Sequence, residues 1–84
     1  MLGAREAGVR IAVLVPNLPG ELTKLTKSVF EAGGNIVALG TFLGESSQNR
    51  EVVIKVAGVD SQSLVSAIEP LVERVVDVRE SATT

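Results

Sequence analysis

A six-residue loop separates the first apolar run from the first amphipathic segment of the chain: Asn17-Leu18-Pro19-Gly20-Glu21-Leu22. The run before it, Val9 to Val15, is rich in β-branched residues and predicts a buried strand. Beyond it, apolar residues recur at helical spacing as far as Phe30 and predict a helix with one apolar face. Backbone N–H groups at a helix start lack intrahelical partners, so this loop could bind a small anionic group. It could equally be a plain strand-to-helix turn, because Pro and Gly are common there.

The composition narrows the function classes. The 84 residues include only two aromatics, Phe30 and Phe42, so aliphatic side chains must form the core. A net charge of −2 argues against a nucleic-acid or anionic-membrane surface. The chain has no Cys and no His, which removes disulfides, thiol and histidine catalysis and the usual zinc ligands. We therefore expect no catalytic residue, no metal and no cofactor.

Nothing in the sequence indicates a membrane or an export signal. No apolar run approaches the roughly 20 residues of a membrane span, and the N-terminus does not resemble a signal peptide. A cytoplasmic location is the default expectation.

The remaining patterns predict three more strands and a second helix. Strands are expected at 9–16, 35–44, 50–57 and 74–79, and the first helix at 20–32. Gly33 and Gly34 end the first helix, while Asp60 or Ser61 caps the second. Pro70 should kink the second helix or end it. Residues 1–8 are predicted to be a tail or the remnant of a linker, and residues 80–84 a frayed C-terminal tail.

This order predicts an α+β ferredoxin-like βαββαβ sandwich over residues 9–79. It has a four-stranded antiparallel sheet with two helices on one face. The second strand is apolar on both faces, and the first nearly so apart from Arg10. Exposed apolar surface of that size indicates an interface. The alternative is that short strands are Val-rich simply because Val favours β structure.

The sequence from Val9 to Arg79 resembles the ACT domain, a family of small regulatory ligand-binding modules. The resemblance lies in residues 9–22 (VRIAVLVPNLPGEL) and 31–36 (EAGGNI), and above all in Pro19-Gly20 followed by Leu22 and in the Gly34-Asn35-Ile36 step. The family implies a module that often pairs and binds an amino acid or a related metabolite where two copies meet. Such modules sit beside enzymes or other regulatory domains. The pattern also looks like ACT domains that follow paired CBS domains, although this chain contains no CBS sequence.

The resemblance implies eight ligand-binding residues: Asn17, Leu18, Pro19, Gly20, Glu21, Leu22, Asn35 and Ile36. Many family members have Asp where this chain has Asn17, and a carboxamide can only donate and accept hydrogen bonds. Because Leu18 precedes a proline, the helix should begin at or after Pro19. Asn17 is then too early to be a good N-cap. Its side chain either stays free for another partner or closes an Asx-turn.

Strand direction places the two asparagines at opposite ends of the sheet. A strand of this length separates Asn17 from Asn35 by roughly 20–25 Å. In a homodimer whose second strands pair antiparallel, each site would combine Asn17 of one chain with Asn35 of the other.

The sequence therefore favours a regulatory, allosteric module that binds a small-molecule effector through a dimer interface. The alternative is a protein–protein assembly module that pairs through its sheet and binds no small ligand. We expect no enzyme activity. Acylphosphatases share this fold, but their phosphate loop and catalytic Arg are not visible after the first strand. Metal-carrying relatives need a Cys-x-x-Cys pair, and RNA-binding relatives stack bases on strand aromatics, of which these strands offer only Phe42.

Overall fold

The strands and helices follow one another in the predicted order. The computed structural model describes residues 8–81. Its elements are β1 (Gly8–Pro16), α1 (Glu21–Glu31), β2 (Asn35–Leu43), β3 (Asn49–Ala57), α2 (Ser61–Ile68) and β4 (Arg74–Ser81), with a short 3-10 turn at Glu69–Leu71. The sheet order is β2-β3-β1-β4 and all neighbours are antiparallel. The predicted ferredoxin-like fold is confirmed.

The core lies between the sheet and the two helices. Alternate residues of β1 and β3 turn towards the helices, as the period of a strand requires. Burial of each such aliphatic side chain stabilises the folded state by roughly 1.5–3 kcal/mol. The fully buried cluster comprises Val9, Ile11, Val13 and Val15 of β1, Val52, Ile54 and Val56 of β3, Leu25 and Val29 of α1, and Leu64 and Ile68 of α2.

The helix ends follow the predicted signals. Gly33, which follows the C-cap Ala32 of α1, adopts a φ of 91°, a left-handed conformation that glycine tolerates. Asp60, rather than Ser61, is the N-cap of α2, because its side chain accepts a hydrogen bond from the Ser63 N–H. Pro70 lies in the 3-10 turn that follows α2, so the helix ends just before the proline.

The predicted tail boundaries need a correction. Glu80 and Ser81 belong to β4, where they pair with Val9 and Gly8. Because β1 already begins at Gly8, its first residues offer β4 two further partners, which the sequence pattern did not reveal. The other residues of the two predicted tails, 1–7 and 82–84, lie outside the described residues.

β2 is an exposed edge of the sheet. Within residues 8–81 it pairs only with β3, and a bulge between Ile36 and Ala38 interrupts that register. Its apolar side chains are largely uncovered: Phe42 is 55% exposed and Leu43 is 91% exposed. β1, by contrast, is an inner strand on which Leu14 is only 3% exposed. The sequence pattern of apolar residues on both faces of a strand therefore corresponds to burial in β1 and to exposure in β2.

Candidate functional site

The loop between β1 and α1 is a tight turn that only glycine fits easily. Gly20 has φ 87° and ψ −10°, which are the values of the third residue of a type II turn. Pro19 precedes it at the position where proline is favoured, and the Glu21 N–H donates to the Leu18 carbonyl across the turn at 3.5 Å. A Cβ placed on Gly20 would meet no atom within 4 Å. Backbone conformation, not crowding within the chain, therefore requires glycine here.

Asn17 is tied to the β2–β3 turn. Its backbone N–H donates to the Gln48 carbonyl at 2.9 Å, and its side-chain Nδ2 donates to the Ser47 carbonyl at 3.2 Å. The side chain is thus neither wholly free nor closing an Asx-turn, the two alternatives left open by the sequence. These bonds hold the start of the loop against the hairpin, while the residue itself stays exposed.

The start of α1 has no side-chain cap. Its N-cap is Gly20, which has no side-chain acceptor, and the first helical bond runs from the Lys24 N–H to the Gly20 carbonyl at 3.1 Å. N–H groups of the first turn carry partial positive charge and favour a nearby anion. Glu21 lies in this turn and pairs with Lys24 at 3.3 Å, which offsets part of its own charge.

A cavity of about 420 Å³ lies beneath this loop, on the helix side of the sheet. Six of the eight predicted site residues border it, together with residues of β1, β2 and β3. The lining residues are Val15, Pro16, Asn17, Leu18, Pro19, Gly20, Glu21, Leu22, Thr41, Arg50 and Val52. Six of the eight predicted residues are thus brought together in one place.

The other two predicted residues lie at the far end of the sheet. Asn35 pairs with Ala57, which in turn pairs with Gly8, whereas the cavity begins beside Pro16 at the other end of β1. Eight steps along β1 correspond to about 26 Å. Asn35 is exposed, and Ile36 is partly buried against the core of its own chain. One chain alone does not unite the two halves of the predicted site.

Arg50 and Thr41 line the cavity and were missed by sequence reasoning. Arg50 lies directly opposite Val15 in the β1–β3 register, so the guanidinium belongs to the same end of the sheet as the loop. None of the ion pairs among residues 8–81 uses Arg50. The sequence signal that could have placed these two residues in the site was the hairpin turn at 45–49, because this turn returns the chain to the end of β1.

A metal-binding cluster and a membrane-spanning helix are both absent from the described part of the chain. Over residues 8–81, no cluster of acidic side chains could hold a metal ion. Neither helix in this range is long and apolar enough to cross a membrane.

Solved structures with a similar fold include a regulatory subunit and an ACT domain. The regulatory subunit of aspartate kinase from Thermus thermophilus matches with a TM-score of 0.67 and 17% identity, over 94% of this chain and 53% of that chain. The ACT domain from GTP pyrophosphokinase of Chlorobium tepidum matches with a TM-score of 0.51 and 17% identity, over 88% and 94%. A formyltetrahydrofolate deformylase from Pseudomonas putida KT2440 matches with a TM-score of 0.56 and 14% identity, over 92% and 29%. The chain thus spans about half the length of the aspartate kinase subunit, and these likenesses show the fold alone.

The chain is a small domain of ferredoxin-like architecture with a cavity beside the first strand–helix loop. A family model described as the TTHA0829-like ACT domain matches residues 7–79, and the chain belongs to that family. The predicted ACT resemblance is thereby confirmed. ACT domains are regulatory, ligand-binding modules and not catalytic ones. No curated protein sequence matches the chain.

Proposed function

We propose that this domain binds an amino acid or a closely related carboxylate metabolite and signals its presence through a homodimer. The observation that carries the proposal is the cavity of about 420 Å³ in which an uncapped helix start meets Arg50. Its volume falls within the range of small-molecule sites.

The chemistry of the lining suits a zwitterionic ligand. Arg50 and the first-turn N–H groups favour a carboxylate, since both present positive charge and hydrogen-bond donors. Asn17 uses its Nδ2 on Ser47, which leaves the carboxamide oxygen to accept from a ligand ammonium or amide. Leu18, which is 62% exposed, and Leu22 supply apolar surface for a side chain of the ligand.

A second copy would complete the site. β2 is an edge strand whose outer N–H and C=O groups lack a neighbour among residues 8–81, and such edges readily pair with another strand. Antiparallel pairing of two β2 edges would bring Asn35 of the partner subunit towards the loop. The backbone of Ile36 would contribute in the same way, because its side chain packs against its own core. A ligand held by both chains would stabilise the dimer by mass action.

The domain would act as the sensor of a longer protein. The aspartate kinase regulatory subunit, of which this chain matches about half, is consistent with a neighbouring domain. We propose an enzyme or a CBS pair as that neighbour, and the same domain would have no catalytic role of its own.

Thermal shift followed by calorimetry tests this proposal. A panel of free amino acids and nucleotides should contain a carboxylate ligand that raises the Tm of the parent chain. Arg50→Met should lower the affinity for that ligand roughly 10- to 100-fold, since hydrogen bonds to charged groups contribute about 1.5–3 kcal/mol. Lys27→Met is the matched control, because Lys27 is exposed on α1 and does not line the cavity. Equal affinity of the Arg50→Met variant and the parent would contradict the proposed site.

The second candidate is an assembly module without a small ligand. The exposed apolar side chains of β2, such as Leu43, favour it because they would be covered by a partner strand. This candidate would be supported if no compound of the panel raised the Tm of the parent chain and sedimentation showed a stable dimer. A monomer at micromolar concentration would contradict both.

A further inference from the structure

The sheet has a second surface, turned away from both helices, that we call the open face. It is formed by the residues of each strand that alternate with the core residues. The strand registers place one row of this face across β2, β3, β1 and β4 as Ala38, Lys55, Arg10 and Arg79. We call this row the cationic rung, because every member except Ala38 carries a positive charge. The chain as a whole has a net charge of −2, so the rung is a local excess of positive charge on an acidic domain.

Two cations of this rung have no carboxylate partner among residues 8–81. Arg10 lies directly opposite both Lys55 and Arg79 on its two neighbouring strands, and like charges in such positions repel. Arg79 pairs with Asp77 at 2.9 Å, whereas no ion pair of the described residues involves Arg10 or Lys55. Glu51 is on the same face of β3 but four residues from Lys55, about 13 Å along the strand and too far for an ion pair. The cationic rung therefore favours an anionic group supplied from outside the chain.

A cavity of about 310 Å³ opens on this face beside the two unpaired cations. Its volume is at the lower end of the range for small-molecule sites. The lining residues are Arg10, Ala38, Leu39, Gly40, Phe42, Val53 and Lys55. Apart from the two cations, the lining side chains are apolar, and none of them is a carboxylate or a carboxamide.

The Phe42 ring forms one wall of this cavity. A Cβ added to Gly40 would lie 3.1 Å from the ring Cε2 atom and 3.2 Å from Cζ, so the ring leans back over Gly40. The side chain of Phe42 is nevertheless 55% exposed and offers surface to a ligand. Gly40 follows Ala38 by two residues, about 7 Å along β2. The cavity thus has a cationic end and an aromatic end, separated by the length of a short apolar group.

We propose that this cavity binds a carboxylic acid that has an apolar body and no amino group. The carboxylate lies between Arg10 and Lys55, where it relieves their repulsion and accepts charge-assisted hydrogen bonds from both side chains. The apolar body packs on Val53 and against the Phe42 ring, and the area that it buries there adds to the affinity. An ammonium group on the ligand is disfavoured, because the two cations repel it and the lining has no carboxylate or carboxamide to accept its hydrogen bonds.

This cavity is separate from the one beside the β1–α1 loop. The loop cavity lies on the helix side of the sheet, and the two linings share no residue. Their chemistry differs as well, since the loop cavity offers the Asn17 carboxamide oxygen to an ammonium group and the open-face cavity offers two cations. Binding at the open face therefore does not depend on the proposed function.

Amide NMR titrations of the parent chain test the site with matched small molecules. 3-Phenylpropionate and L-phenylalanine differ only in the amino group, and 4-methylpentanoate has a branched alkyl body in place of the ring. Both acids should shift the amide signals of Ala38, Gly40 and Val53 with a Kd of about 1 mM or tighter. L-Phenylalanine should bind there at least about tenfold more weakly, because its ammonium group meets two like charges. Inorganic phosphate, which has no apolar body, should also bind more weakly than either acid.

Variants separate the contribution of charge from that of shape. Arg10→Met and Lys55→Met each remove one cation and should lower the affinity for 3-phenylpropionate about tenfold. Ala38→Leu keeps both cations but fills the cavity from an exposed position, so it should abolish the ligand-induced shifts in a folded chain. Lys27→Met is the matched control, because Lys27 is exposed on α1 and does not line this cavity. It should bind like the parent.

Three outcomes would overturn the proposal. The first is that neither acid shifts the cavity amides, or that both Met variants bind 3-phenylpropionate as tightly as the parent does. The second is that phosphate or L-phenylalanine binds as tightly as the two acids, which would contradict the apolar body or the exclusion of an amino group. The third is that the cavity amides shift with protein concentration in the absence of ligand, which would mean that a protein surface covers the cavity.

The same spectra report the proposed function separately. An amino acid that binds beside the β1–α1 loop should shift the amides of Gly20 and Leu22, which lie outside the open-face cavity. If these two signals stay unchanged across the amino-acid panel while the acids shift Gly40 and Val53, the proposed function fails and the open-face site stands. The reverse pattern would refute the open-face site alone.

Discussion

Replacement of Gly20 by valine tests whether the turn before α1 depends on a left-handed residue. A β-branched residue at φ 87° costs roughly 2–3 kcal/mol of backbone strain. Loss of glycine also lowers the conformational entropy of the unfolded chain, and this offsets about 0.4–1 kcal/mol of the backbone strain. Because a Cβ at this position meets no atom within 4 Å, the Cβ itself adds no clash. Gly20→Val should therefore destabilise the domain by about 1–2.5 kcal/mol.

Denaturant and thermal unfolding at a fixed protein concentration measure this loss. For a domain of this size each kcal/mol lowers Tm by roughly 4–8 °C. Gly20→Asn is the matched variant, since asparagine tolerates the left-handed region, and it should stay within about 0.5 kcal/mol of the parent. If Val and Asn destabilise equally, the loss comes from the side chain and not from φ. A Val variant as stable as the parent, with unchanged ligand binding, would refute the account of the turn.

Two further predictions concern the helix ends. Gly34→Ala should lower the free energy of unfolding by roughly 1–3 kcal/mol through overpacking, because its Cβ would lie 2.6 Å from Val56 Cγ1. An unfolding midpoint equal to that of the parent would contradict this prediction. Hydrogen bonds from the Ser63 side chain and backbone hold the pKa of Asp60 below its ordinary 3.8. Since the folded-state pKa is the lower one, the stabilisation is present above the unfolded-state value of 3.8 and is lost as the pH falls through the folded-state value. Asp60→Ala should thus lower Tm at pH 7, and the difference from the parent should shrink towards pH 3; a pH-independent difference would contradict the carboxylate's role.

Local chemistry explains the parts of the fold that the sequence predicted well. Pro19-Gly20 forms a type II turn from two neighbouring residues, and Gly20 has the positive φ that the third position of this turn requires. Pro70 ends α2 for an equally local reason, the clash of its ring with the preceding turn. The alternation in β3 identifies its core face in the same way, whereas β1 is apolar on both faces apart from Arg10.

The parts that were missed depend on register between distant segments. Asn17 donates to Ser47, 30 residues away, and only the hairpin's position beside β1 creates that contact. Arg50 and Thr41 join the cavity for the same reason. Likewise, β4 reaches Ser81 because Gly8 is present opposite it. No short pattern carries such information. The partner expected for β2 stays a prediction, as do the roles of Asn17 and Asn35 in binding.

Calorimetry on a purified heterodimer of Asn17→Leu and Asn35→Leu chains tests the composite site most directly. Each homodimeric variant lacks one half of both sites, so both should bind the ligand weakly or not at all. In the heterodimer, one site carries both changes and the other carries neither. The account predicts one site per dimer with an affinity close to that of the parent. If binding does not return while the fold and the dimer persist, the two asparagines do not share a site across the interface.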